Sequence, residues 1–195
     1  MALTAPVILA SASPRRQELL GYYGIPFEVV PSGAEEDATG SGEEQVRQLA
    51  RRKCEDVAAR YPDRLVLAAD TLVCADDAVL GKPADEADAL RMLMALQGRA
   101  HTVCTGVTVC RGSEMRTECE TTEVYFRSAT EDELLSYIRT GEPMDKAGAY
   151  GIQEWIGYVG IESIEGSFYN VMGLPIQRLC RELEAFIEQL PSCYM

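Results

Sequence analysis

Short apolar runs that read as buried strands alternate with helical apolar stripes along this chain, and such alternation points to an α/β fold. Val7-Ile8-Leu9-Ala10 is the first run. Ser13 then stands where a helix cap belongs, with Pro14 in the first turn, Leu19 and Leu20 inward and Gly24 beyond the end. Phe27-Glu28-Val29-Val30 reads as a second strand, followed by the acidic loop Gly33-Ala34-Glu35-Glu36-Asp37. A helix from about Glu43 to Arg60 carries the stripe Val46, Leu49, Ala50, Cys54 and Val57. The run 65–70 reads as a strand that leads into another at 71–75, then a turn around Asp76-Asp77.

Asp85 is placed to cap a helix holding Leu90, Leu93 and Met94 and ending at Gly98. Residues 101–111 and 115–127 alternate like a β-hairpin with Arg111-Gly112-Ser113 as its turn, so the sheet should be mixed. Thr130 and Glu133 form a capping box for a helix with Leu134, Leu135 and Ile138 inside. A last helix follows Pro175, with Ile176, Leu179, Cys180, Leu183, Phe186, Ile187 and Leu190 at helical steps, and reads as a packing element.

At 195 residues, 47% of them hydrophobic, the chain can bury one substantial core, which favours a single domain over 1–195. No apolar run approaches the roughly 20 residues of a membrane span. Met1-Ala2-Leu3-Thr4-Ala5-Pro6 lacks a basic n-region, so the expected compartment is the cytoplasm. Seven cysteines without a Cys-x-x-Cys pair read as reduced small hydrophobes, neither a disulfide framework nor a zinc site. A net charge of −13 disfavours nucleic acid as partner while leaving room for a small phosphorylated ligand and a metal ion.

Several residues stand out against that background. Ser11-Ala12-Ser13-Pro14-Arg15-Arg16 joins a buried strand to a helix start, where free N–H groups favour an anion. The same residues also suit a plain Ser-Pro cap with two solvated arginines. Asp70 ends a run of five apolar residues, at the carboxyl end of a strand where ligands bind in open α/β sheets. It needs a partner there, or it is a turn aspartate. Lys53 falls within the apolar stripe of its helix, so it must snorkel, pair or reach a ligand, whereas Arg51 and Arg52 look solvated.

Lys82 and Lys146 are cations in glycine-containing loops that let backbone approach a ligand, and Gln153 can read a base edge as donor and acceptor. Glu35, Glu36 and Asp37 offer carboxylates that join Asp70 around a hard divalent ion, or else form a solvated loop. His101 is a structural histidine in preference to a base, and Tyr169-Asn170 a turn and helix entry. No Walker A pattern is present, which argues against a phosphotransferase.

Six ordered blocks together resemble the Maf family of nucleotide pyrophosphatases. They are Ala10 to Leu20, Ala68-Ala69-Asp70-Thr71, Leu80-Gly81-Lys82-Pro83, Gly98 to Val107, Asp145 to Gln153, and Gly166 to Pro175. The resemblance implies an elongated mixed sheet flanked by helices, with two lobes around a cleft, similar to inosine triphosphate pyrophosphatase-like folds. It implies hydrolysis of a nucleoside triphosphate to the monophosphate and pyrophosphate, with Asp70 as proton acceptor. It places Ser11, Arg16, Lys53 and Lys82 on phosphate, and Glu36 beside Asp70 at a divalent metal, Mg²⁺ or Mn²⁺, with Co²⁺ a further option. Lys146 is assigned with them to the substrate.

Thr71, Gln153 and Arg15 match the branch acting on dTTP and UTP, while Phe168 stands where tyrosine is common. A homodimer is expected from the same resemblance. So is an alternative role, a nucleotide-responsive regulator of septum formation and cell division that acts without hydrolysis.

Overall fold

The computed structural model describes residues 5–76, 78–184 and 186. The elements are β1 (Val7–Leu9), α1 (Pro14–Tyr22), β2 (Phe27–Val29), α2 (Gly42–Ala58), β3 (Val66–Ala75), β4 (Ala78–Leu80), α3 (Glu86–Leu96), β5 (Ala100–Arg111), β6 (Glu114–Phe126), α4 (Glu131–Ile138), α5 (Trp155–Gly160), β7 (Ile161–Glu165), α6 (Phe168–Met172) and α7 (Ile176–Glu184). Short 3₁₀ turns cover Glu142–Asp145 and Ala147–Ala149. Among the described residues seven strands pair in the order β2-β1-β3-β5-β6-β7, with β4 beside β3. Pairing of β1 with β2 and β3 is parallel, that of β3 with β4 and β6 with β7 antiparallel, so the sheet is mixed as expected. No described helix is long and apolar enough to cross a membrane.

The chain divides into two compact units, one of Met1–Asp70, Thr105–Glu120 and Gly173–Met195, the other of Thr71–Cys104 and Thr121–Met172. In the first, Ile8, Ala10, Val66 and Ala68 pack with Cys54, Val57 and Cys110. All five expected stripe residues of α2 are buried, as its 3.6-residue period requires. Cys54 and Cys110 are free thiols with sulfurs 3.0 Å apart, packed as small hydrophobes. In the second unit, Ala89, Met92, Leu93 and Leu96 of α3 meet Leu134, Tyr137 and Ile138 of α4.

Several local expectations need correction. Ser13 occupies the N-cap of α1, but its side chain makes no cap hydrogen bond. Met94 is exposed, because the inner face of α3 is set by Ala89, Met92, Leu93 and Leu96. The segment 155–172, expected to hold only a turn and helix entry near its end, contains α5, β7 and α6, each too short to show a clear period. In α7, Leu179 and Leu183 are buried; Ile187 and Leu190, like the Asp77 half of the expected turn, lie outside the described residues.

Both capping residues named for α3 and α4 act as caps. Asp85 Oδ1 accepts from the Asp88 N–H at 2.8 Å. Thr130 Oγ1 accepts from the Glu133 N–H while the Glu133 carboxylate accepts from the Thr130 N–H at 2.8 Å. Thr130→Ala should destabilise the fold by about 1 kcal/mol. A urea titration followed by far-UV circular dichroism should show this as a lower midpoint at unchanged slope.

Candidate active site

β1 ends at Leu9, and the chain turns through Ala10–Ser13 into α1. This turn buries Ser11, whose Oγ accepts from Arg16 Nη1 at 3.1 Å and from the Ser13 N–H at 3.3 Å. Arg16 also donates through Nε to the Gly173 carbonyl at 2.8 Å. Two anchors therefore fix the plane of the guanidinium. Burial lowers its pKa from the ordinary arginine value, and the carboxylates of Asp70 and Glu36 act in the opposite direction. Arg15, half-buried beside it, adds like charge.

Asp70 follows the apolar run but lies in the middle of β3, not at the carboxyl end of a strand as expected, because the two expected strands 65–70 and 71–75 are one; it is only 8% exposed. A carboxylate so placed is costly unless it is paired. Lys53 supplies the pair. Its side chain lies in the apolar stripe of α2, 13% exposed, and Nζ sits 2.5 Å from Asp70 Oδ1 and 2.6 Å from Glu36 Oε1. Of the three options open to a lysine in an apolar stripe, this one pairs.

The acidic loop is tied to the same helix, which the sequence did not reveal. Asp37 accepts from Arg52, correcting its reading as a solvated arginine, and Arg51 pairs with Glu55 at 2.8 Å. Asp56 accepts from Ser32 Oγ at 2.9 Å and from the Gly33 N–H at 3.0 Å. α2 therefore holds the loop at its start and near its end, and Glu36 lies between those ties. Asp56 and Asp37 carry no local signal, since each gains its role only from a segment distant in sequence.

Glu36 Oε1 and Asp70 Oδ1 converge on one ammonium, at 2.6 and 2.5 Å. A small divalent ion in its place would draw its oxygen ligands to bonds of about 2.0–2.1 Å. Among the described residues no group of three or more His, Cys, Asp or Glu side chains forms a closed metal cage. Two carboxylates with positions left for phosphate and water suit Mg²⁺-like ions in nucleotide sites.

The second unit holds Thr71, Lys82, Lys146 and Gln153. Thr71 is half-buried and Lys82 exposed ahead of the buried Pro83. Lys146, assigned from the sequence to the substrate, is nearly enclosed. Its ammonium meets Asp145 Oδ1 at 2.7 Å, Glu154 Oε1 at 2.7 Å and the Glu142 carbonyl. An ammonium has three N–H donors, and here all three are committed to protein. Gln153 is half-buried, and its Oε1 is sequestered with no hydrogen-bond partner among the described residues. It borders a cavity of about 260 Å³ walled by Tyr158, Ile161, Ile164 and Phe168.

His101 is structural. Its Nε2 lies 2.8 Å from the Tyr150 hydroxyl, and its ring meets Phe126 edge-on at 5.0 Å. Burial lowers its pKa to about 4, so it is neutral at neutral pH. Asn170, read only as a helix entry, is fully buried and donates to the Val103 carbonyl and Thr122 Oγ1, both at 3.0 Å, joining α6 to β5 and β6.

A buried acid paired to a stripe lysine is one feature; its sequence setting is the other. The family model described as Maf-like protein matches residues 6–186. The chain belongs to the Maf family. Among similar Maf relatives is a protein of Symbiobacterium thermophilum, 50% identical over 182 residues, covering 92% of this chain and 93% of its own. Another, from Bacillus velezensis, is 46% identical, covering 94% and 98%. A third, from Phocaeicola vulgatus, is 48% identical, covering 91% and 94%. All three carry the name dTTP/UTP pyrophosphatase. The Ham1 protein of Staphylococcus aureus shares the Maf chain's fold with a TM-score of 0.55 at 16% identity, covering 93% of this chain and all of its own.

Proposed function

We propose that this Maf protein hydrolyses the nucleoside triphosphates dTTP and UTP to the monophosphate and pyrophosphate, using 1–195 as one catalytic domain. The observation that carries the chemistry is the Asp70–Lys53–Glu36 arrangement: a buried carboxylate held by an ammonium that also reaches a second carboxylate. The names of relatives 46–50% identical over nearly the whole chain support the choice of substrate. A second copy of the chain as partner follows from the family resemblance.

Asp70 accepts the proton of the water that attacks the α-phosphorus, and pyrophosphate leaves. Lys53, on binding substrate, turns from its two carboxylates toward phosphate oxygens. With Arg16 and Lys82 it offsets the charge that accumulates there. Ser11 fixes Arg16 and offers its hydroxyl to phosphate. Asp70 and Glu36 would hold a divalent cation, Mg²⁺, Mn²⁺ or Co²⁺, which when bound lowers the pKa of water and screens phosphate charge. Arg15, Thr71 and Gln153 select the pyrimidine. The unpartnered Gln153 Oε1 beside the cavity supports this, since a base N–H would satisfy it once the amide turns toward the cavity. Lys146 belongs to the substrate side through the loop it holds, because its own donors are occupied.

Hydrolysis of UTP in ¹⁸O-labelled water tests the reaction. The label should appear in UMP and not in pyrophosphate, because water adds to the α-phosphorus. Release of orthophosphate, or label in pyrophosphate, would exclude the proposed step.

A further inference from the structure

Glu154 directly follows Gln153 and occupies the N-cap of α5, yet its carboxylate makes no capping hydrogen bond. It turns back over the preceding loop. Oε1 pairs with Lys146 Nζ at 2.7 Å, and Oε2 accepts from the Tyr137 hydroxyl at 2.5 Å. Tyr137 is itself buried on α4, and burial together with the Glu154 hydrogen bond raises its pKa, so it keeps its proton and donates. The Tyr137 oxygen in turn accepts from the Gly151 N–H at 3.3 Å. A Cβ at position 151 would lie 2.6 Å from the Glu154 carboxylate carbon, so a side chain there would displace the tethered carboxylate.

Gln153 is therefore flanked by two tethered residues. Gly151 is held by Tyr137, and Glu154 is held by Tyr137 and Lys146, while the Glu154 carbonyl accepts from the N–H groups of Gly157 and Tyr158. One residue earlier, the Tyr150 hydroxyl is 2.8 Å from His101 Nε2. This is more restraint than a surface turn needs. The only side chain in the segment with an unsatisfied buried polar atom is that of Gln153, among the described residues.

We infer that Glu154 is a positioning residue for base recognition, clamping Lys146 and Tyr137 so that the Gln153 amide is held ready for a pyrimidine. The inference rests on the proposed reading that Gln153 contacts the base. Lys146 is then a structural cation of the specificity loop, which neutralises Glu154 and Asp145.

The test uses the purified full chain with UTP and with a purine triphosphate, GTP. Glu154→Gln should raise KM for UTP about tenfold, the size of one hydrogen bond to the base, with kcat changed less than about threefold. The ratio of kcat/KM for UTP over GTP should fall by a similar factor. In a Gln153→Ala background the Glu154→Gln change should add less than about twofold, because both act through one contact. Tyr137→Phe, which keeps the buried ring, should move KM the same way by a smaller factor, and it carries the test if Glu154→Gln does not fold.

Full additivity of Glu154→Gln and Gln153→Ala would overturn the inference, as would a loss confined to kcat. If Gln153→Ala relaxes selectivity while Glu154→Gln and Tyr137→Phe do not, the clamp falls and the base reading stands. If Gln153→Ala leaves selectivity unchanged, both fall.

Discussion

Asp70→Asn should lower kcat for pyrophosphate release by about 10²–10⁴-fold, the contribution of a positioned general base. The substitution is nearly isosteric, and the amide oxygen can still accept from Lys53 Nζ, which stands 2.5 Å from Oδ1. What it removes is the negative charge that, in the proposed reaction, takes a proton from water and would bind a cation. Weakening the ion pair with Lys53 to a hydrogen bond on a neutral oxygen lowers stability by about 1–3 kcal/mol at most, so the variant should remain folded at 25 °C. KM should move little if the phosphate contacts proposed for Arg16 persist. Steady-state turnover of UTP, measured across a titration of Mg²⁺ and Mn²⁺, separates the two roles. Recovery at high metal would point to a ligand role alone, and a kcat that stays low at saturation to proton acceptance. Turnover within tenfold of the wild type at ordinary metal concentration would sink the assignment of Asp70 altogether.

Asp70 stood out because a polar residue ends a run of five apolar ones, a signal that needs no knowledge of the rest of the chain; that the strand itself runs on to Ala75 was not legible. The same holds for the stripe of α2 and for Lys53 within it: helical period alone placed the lysine among apolar neighbours. Which of its three possible fates it follows was not legible. That depends on Asp70, 17 positions away, and on a loop whose backbone is fixed by Asp56 and Arg52. Lys146 shows the opposite failure. Its glycine-rich setting suggested access to a ligand, but of the residues that enclose it only Asp145 adjoins it in sequence, and Glu142 and Glu154 become its neighbours once 3₁₀ turns fold the segment back. Capping boxes are readable because their partners are three residues apart, and Thr130 with Glu133 behaves as its spacing implies. Ser13 does not, since spacing cannot say which way a hydroxyl points. The segment with α5, β7 and α6 stayed hidden because elements of five or six residues offer too few periods to separate helix from strand.

Gly106→Ala should be the most damaging single-methyl change in the first unit. Position 106 lies in β5 beneath α2, and a Cβ there would stand 2.3 Å from the Val46 carbonyl oxygen and 2.5 Å from its carbon. Both atoms belong to helix backbone, so no rotamer change can relieve the contact. Either β5 or the whole of α2 must move, and α2 is seated by Val46, Leu49, Ala50, Cys54 and Val57, all buried. Overpacking usually costs about 1–3 kcal/mol and more where the backbone must shift. At the upper end the melting temperature should fall by roughly 6–12 °C. Activity should suffer beyond stability, because Lys53 lies two turns along α2 from Val46, and a misplacement of about 1 Å can cost on the order of 100-fold in rate. Gly21→Ala is the matched control. It sits in α1 with nothing within 4 Å of the added methyl and no positive φ. Replacing a helical glycine there should hold or raise stability by about 0.5–1 kcal/mol. Calorimetry of both variants alongside UTP turnover decides the matter. A Gly106→Ala protein that melts within 2 °C of the wild type would mean that β5 and α2 are not in the close contact on which the placement of Lys53 depends.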